Sequence, residues 1–144
     1  MQGVAARERL VAVLIGAALL LGACGHSRPD QASLEQDINT PPANYRADVV
    51  AAMHAYLNDP TGVRDAAISE PTLRPANLNM PARYIGCVRF NAKKTATVYV
   101  GSQEIAAMFV AGRFDQFIDQ PKATKELCTG ATYAPFPELE KMTR

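Results

Sequence analysis

The sequence predicts an α+β domain: an N-terminal amphipathic helix packed on a small antiparallel sheet of three to five strands, with short C-terminal helices. Three observations carry this. Between Asn44 and Asn58 the apolar residues Tyr45, Val49, Ala52 or Met53, Tyr56 and Leu57 recur at the spacing of one helical face. From Arg83 to Ile118, runs of alternating apolar and polar residues are separated by polar or glycine turns. Beyond Pro121 the sequence carries helix start and stop signals.

Arg7 and Arg9 precede an almost unbroken apolar run, Leu10 to Leu21, and Gly22 and Ala23 lead into Cys24. That is the basic start, apolar core and small-residue cleavage site of a secretory signal, expected here over residues 1–23. Val11 to Ala23 is about 13 residues, short of the roughly 20 that cross a bilayer. The residues Leu21-Gly22-Ala23-Cys24 resemble the lipobox of bacterial lipoproteins. The resemblance implies cleavage before Cys24 and a thioether-linked diacylglycerol on that cysteine, usually with a further N-acyl chain such as palmitate. At about 0.8 kcal/mol per buried CH₂, two or three chains anchor far more firmly than one. Gly25 stands where an aspartate signals inner-membrane retention in that family. The implied address is therefore the outer membrane, facing the periplasm.

Cleavage removes Arg7, Glu8 and Arg9 from the 15 basic and 14 acidic residues, so the mature chain is neutral. No polybasic face remains to attract nucleic acid, and the membrane is reached through the lipid anchor instead. The roughly 121 residues left suffice for one domain with a core, and not for two. Residues 24–43 are polar and proline-punctuated, with Leu34 and Ile38 as their only large apolar residues, and read as a flexible tether. Eighteen or so such residues would give a reach of about 25 Å. The globular domain is expected over 44–144.

The helix over Asn44 to Asn58 has Pro42 or Asn44 as its start signal, and Pro60 stops it by forcing the preceding residue out of helical geometry. His54 lies within it between Asp48 and Asp59. "AAISEPTL" reads as a short strand that Pro71 confines to an edge. "ARYIGCVRFNAKK" alternates Tyr84, Val88 and Phe90 against Ile85, Cys87 and Arg89. "TATVYVG" repeats the pattern after the polar turn "NAKK", so the two are expected to form a hairpin. "EIAAMFVAGRFDQFI" could open as a serine-capped helix; two strands around Ala111-Gly112 fit it better. "KATKELCTG" is a short helix carrying Cys128 and capped by Gly130, and a last helical turn starts at Pro137.

With Cys24 acylated, Cys87 and Cys128 remain. Outside the cytoplasm such a pair is most simply a disulfide. It would close a loop of about 42 residues, worth roughly 4 kcal/mol by chain entropy. The alternative, a redox or metal site, is opposed by the lack of a CxxC spacing and by histidines at only His26 and His54.

"LNDPTGVRDAAIS", "CVRFNAKK" and "YVG", spread over Leu57 to Gly101, resemble an uncharacterised group of small exported bacterial envelope proteins. Those share a Leu-x-Asp-Pro-x-Ser helix end and a Cys-x-x-x-Asn-Ala-Lys-Asn run closing on Tyr-x-Gly. Gly62 stands here in place of the serine, and Lys94 in place of the second asparagine. The resemblance implies an exported helix-plus-antiparallel-sheet domain and carries no activity.

The chain has no Gly-rich phosphate loop, no HExxH, no GxSxG and no aspartate-rich calcium loop, so no cofactor or metal is expected. Asp115 and Asp119 in "FDQFID" would lie about 13 Å apart on one strand face, too far for a general acid/base pair. The aromatic residues of the strand region read first as core. Projected from an open sheet face, Tyr99 and Phe117 would form a patch for a peptide, a glycan or a partner protein. The favoured reading is a lipid-anchored, non-enzymatic binding or assembly module, its partner an envelope protein or cell-wall component. The alternative is an enzyme of an unrecognised type, using His54 with Asp48 or Asp59, or the Asp115/Asp119 region.

Overall fold

A computed structural model describes residue 34 and residues 37–75 and 81–144. The expected signal segment, Cys24 and most of the expected tether lie outside the described residues. From Tyr45 onward the elements follow in the order α1 (Tyr45–Tyr56), β1 (Arg64–Ser69), β2 (Thr72–Arg74), β3 (Arg83–Asn91), β4 (Gln103–Val110), β5 (Arg113–Ile118), α2 (Pro121–Cys128), β6 (Tyr133–Pro135) and α3 (Pro137–Glu140). The strands form one antiparallel sheet in the order β5-β4-β3-β1-β6, with β2 also paired to β3. The α+β class and the antiparallel sheet match the sequence expectation. Among the described residues no helix is long and apolar enough to cross a membrane.

β3 is the spine, and its alternation decides the layers. Val88 and Phe90 point to one face, where they meet Val49 and Met53 of α1, Ile68, Ile105, Ala107 and Phe109 of the sheet, and Phe136, Leu139 and Met142 of the C-terminal segment. Ile85 and Cys87 point to the other, where Ala106, Met108 and Cys128 complete a smaller cluster under α2. α1 and α3 are clamped together by Arg46, which pairs with Glu138 at 2.8 Å, donates to the Pro135 carbonyl and lies over the Phe136 ring. At the other end, the Ile38 carbonyl accepts the Ala111 N–H at 2.7 Å, so the chain already touches the β4–β5 turn before α1 begins.

Three strand expectations need correction. β1 is not an edge: it lies between β3 and β6. Pro71 instead separates β1 from β2, and Ser69 Oγ fills the gap by accepting the Cys87 N–H at 2.8 Å. Gly86 lies opposite, where a Cβ would come within 3.5 Å of Pro71, Phe109 and the Ser69 carbonyl. Second, "TATVYVG" is not a strand and gives only an isolated bridge between Lys93 and Tyr99. Its Thr and Val residues have the right propensity, yet Val98 and Val100 are half exposed and have no apolar surface to cover. The true partner of β3 is β4. Third, β6 raises the strand count to six; at three residues it is too short for any periodicity to show.

The two ends of the strand order, β6 and β5, are unlike. β6 is short, contains a proline without an N–H, and has its Pro135 carbonyl taken by Arg46. β5 is six residues long with an irregularity opposite Met108 and Phe109, and its outer backbone has no neighbouring strand among the described residues. The β4–β5 turn uses Ala111 (φ 51°) and Gly112 (φ 75°), the paired positive φ values of a two-residue hairpin turn.

Candidate functional site

The sites expected from sequence are distributed as follows. His54 is exposed, with Nε2 3.0 Å from the Thr143 carbonyl oxygen. Asp59 turns its carboxylate onto Thr61, accepting from the hydroxyl at 2.6 Å and the backbone N–H at 3.0 Å; those bonds hold it below the usual carboxylate range. Asp115 and Asp119 border different recesses and are not brought together. Among the described residues no three His, Cys, Asp or Glu side chains converge as metal ligands.

Phe117 and Tyr99 have different surroundings. Phe117 is half-buried, 5.2 Å from Tyr56 and 4.6 Å from Phe114 between ring centroids. Tyr99 leans inward: its hydroxyl donates to the Gly62 carbonyl at 2.9 Å and Arg64 lies 4.2 Å over its ring. Asn91 adds a bond from the Gly101 N–H, and the Lys93 chain covers Gly62. The three motif blocks around Gly62, Lys93 and Tyr99 therefore meet at one end of the sheet, where their contacts tie the loop after β3 to the start of β1.

Cys87 and Cys128 form a disulfide, with Cα atoms 5.8 Å apart. This bond does more than join two elements. Helix α2 is only eight residues long, with Thr124 and Cys128 as its buried residues, so its apolar contact alone is a thin attachment. The disulfide and a bond from Thr124 Oγ1 to the Ile118 carbonyl hold it flat on the sheet. A helix this narrow cannot cover the face of a five-strand-wide sheet, and recesses are left along its flanks.

Three such recesses border α2. Next to the disulfide, one of about 480 Å³ runs from Ser69 and Arg74 to Thr129 and Ala131. Beside the N-terminal half of α2, one of about 470 Å³ opens between Tyr56, Gln103 and Asp119. The largest, about 590 Å³, is a groove between α2 and β5. Met108, Val110, Ile118 and Leu127 give it apolar walls, and Arg83, Asp115 and Glu126 put both signs of charge around it. Apolar surface with a few charged groups at its margin suits binding of a mixed-character segment. The groove also runs along Asp115 to Ile118 of the open margin strand; the Ile118 carbonyl is taken by Thr124, and the outer edge ahead of it has no strand partner among the described residues, where an added strand could pair.

Sequence reasoning pointed to Phe117 and Asp115 but missed the part played by α2. Ala123, Glu126 and Leu127 carry no motif, and the signal that could have found them was indirect: an expected disulfide on a helix too short to stand alone. Comparison with known protein families, characterised proteins and solved structures finds no match to the chain.

Proposed function

We propose that the protein is a lipid-anchored envelope lipoprotein, attached through Cys24 to the outer membrane on its periplasmic side, whose folded domain is a non-enzymatic binding or assembly module. The observation that carries the binding reading is the groove between α2 and β5, about 590 Å³ with apolar walls, charged margins and an open strand along one side. An anchor and tether fit a protein that acts by being positioned. Its partner is an envelope protein or cell-wall component presenting an extended segment. The enzymatic alternative has less support: His54 Nε2 is engaged with Thr143, and Asp59 with Thr61.

The test has two arms. Cells fed labelled palmitate should label the protein, and a Cys24→Ala variant should lose the label; unlabelled wild-type protein overturns the anchor. Crosslinking and affinity capture of the full chain should recover a stable envelope partner that Ala123→Arg, which fills the groove, releases without unfolding the domain. If no partner is recovered and His54→Ala alone reproduces the deletion phenotype, the binding reading fails and catalysis replaces it.

A further inference from the structure

We propose that the recess at the N-terminal half of α2, distinct from the groove above, is a binding site for an uncharged saccharide. It holds about 470 Å³ between the end of α1, the start of β4 and the end of β5. Tyr56, on the last turn of α1, is 42% exposed at its margin. The ring is fixed from two sides: Phe117 packs 5.2 Å from it, and its hydroxyl donates to Asp119 Oδ2 at 3.2 Å. A preset aromatic surface with a polar tip suits the C–H face of a pyranose ring and loses little conformational freedom on binding.

The remaining lining supplies hydrogen bonds of both kinds. Gln103 contributes donors and an acceptor, Lys125 donors, and Asp119 a second carboxylate oxygen. Glu104 is held in advance. Arg89 Nε donates to its Oε1 at 2.9 Å, the Tyr133 hydroxyl donates to the same oxygen, and the Arg89 guanidinium lies 3.9 Å over the Tyr133 ring. Among the described residues Oε2 is left for a ligand hydroxyl. Formal charges in and beside the recess cancel, Glu104 against Arg89 and Asp119 against Lys125, so a strongly charged ligand gains no matching excess of opposite charge. Carboxylates held at Glu104 and Asp119, with the amide and ammonium donors of Gln103 and Lys125, beside one exposed aromatic, match a neutral sugar bearing hydroxyl and amide groups.

The test titrates the purified full chain in detergent with the soluble tetramer of β-1,4-linked N-acetylglucosamine, read by saturation-transfer NMR. Saturable binding is expected at about millimolar concentration, a value typical of a few hydrogen bonds and one stacking contact. Tyr56→Ala should abolish it and Gln103→Ala should weaken it about tenfold, or about 1.4 kcal/mol. Val98→Ala, at a half-exposed position in the loop after β3, should leave it unchanged. Should Tyr56→Ala fail to fold, Gln103→Ala and Lys125→Glu, both at exposed positions, decide the matter. Absence of saturable binding, indifference to these substitutions, or tighter binding of an oligomeric sugar acid overturns the proposal. Partner capture by the α2–β5 groove is read separately, so either site can fail without the other.

Discussion

The two faces of the sheet are covered by different physics. On the α1 side, fourteen buried residues form one cluster, with Phe90, Phe109, Phe136 and Leu139 at 1% exposure or less. On the α2 side the buried cluster has five members, two of them the cysteines of the disulfide. The first cover is held by apolar area, the second mainly by a covalent bond and a few polar contacts. The recesses lie along the second cover because its helix is too small to fill the face. The larger core thus lies on one side of the sheet, and the recesses gather around the smaller cover on the other, one of them reaching round to Tyr56 at the end of α1.

The sharpest way to break this division is to damage the α1 side. Phe109→Ala should cost about 3–5 kcal/mol, the range for losing a fully buried aromatic, and urea denaturation should find the chain largely unfolded under mild conditions. Removing the disulfide with Cys87→Ala and Cys128→Ala together should cost about 2–4 kcal/mol. Its signature is spatial: hydrogen exchange should accelerate in Pro121 to Cys128 while Val49 to Met53 stay protected. Equal loss of protection on both sides would merge the two covers into one cooperative unit.

Gly62→Ala probes the loop junction beside the larger cluster. Gly62 has φ +67°, and an added Cβ would sit 2.8 Å from the Lys93 side chain. A loss of about 1 kcal/mol is expected, and Lys93→Ala in the same chain should recover only the steric part. The smallest effect is electrostatic. Glu138 is held at about 2, chiefly by its bond to Arg46. A carboxylate depressed in the folded state stabilises above its unfolded value and loses that contribution as pH falls from about 4.5 toward 2. Its side chain is 49% exposed, so solvent screening leaves well under 1 kcal/mol. An Arg46→Gln variant should flatten that part of the pH profile of denaturation midpoints.

Much of the fold was legible because it depends on local periodicity. Val49 and Met53 at helical spacing placed α1, and the alternation of Val88 and Phe90 against Ile85 and Cys87 placed β3 and both its faces. Ala111-Gly112 located the β4–β5 turn. What failed depends on distant partners. β6 exists because Ala67 to Ser69 need a neighbour and Arg46 can reach Pro135. Val98 and Val100 have strand propensity without a surface to bury against. The recesses were equally hidden: Tyr56, Gln103 and Lys125 come from three elements that meet only once α2 is cross-linked to β3.

The unlike margins of the sheet limit how copies of this chain can associate. At one margin Arg46 takes the Pro135 carbonyl and the proline offers no N–H, so little is left there for hydrogen-bonded growth. Among the described residues β5 is the longest strand with an unpaired edge, against three residues each in β2 and β6. A peptide seated on it covers that edge, and two copies joined through it form a symmetric pair in which each β5 is used up. Copies that associate through β5 alone would therefore stop at pairs and not extend into filaments.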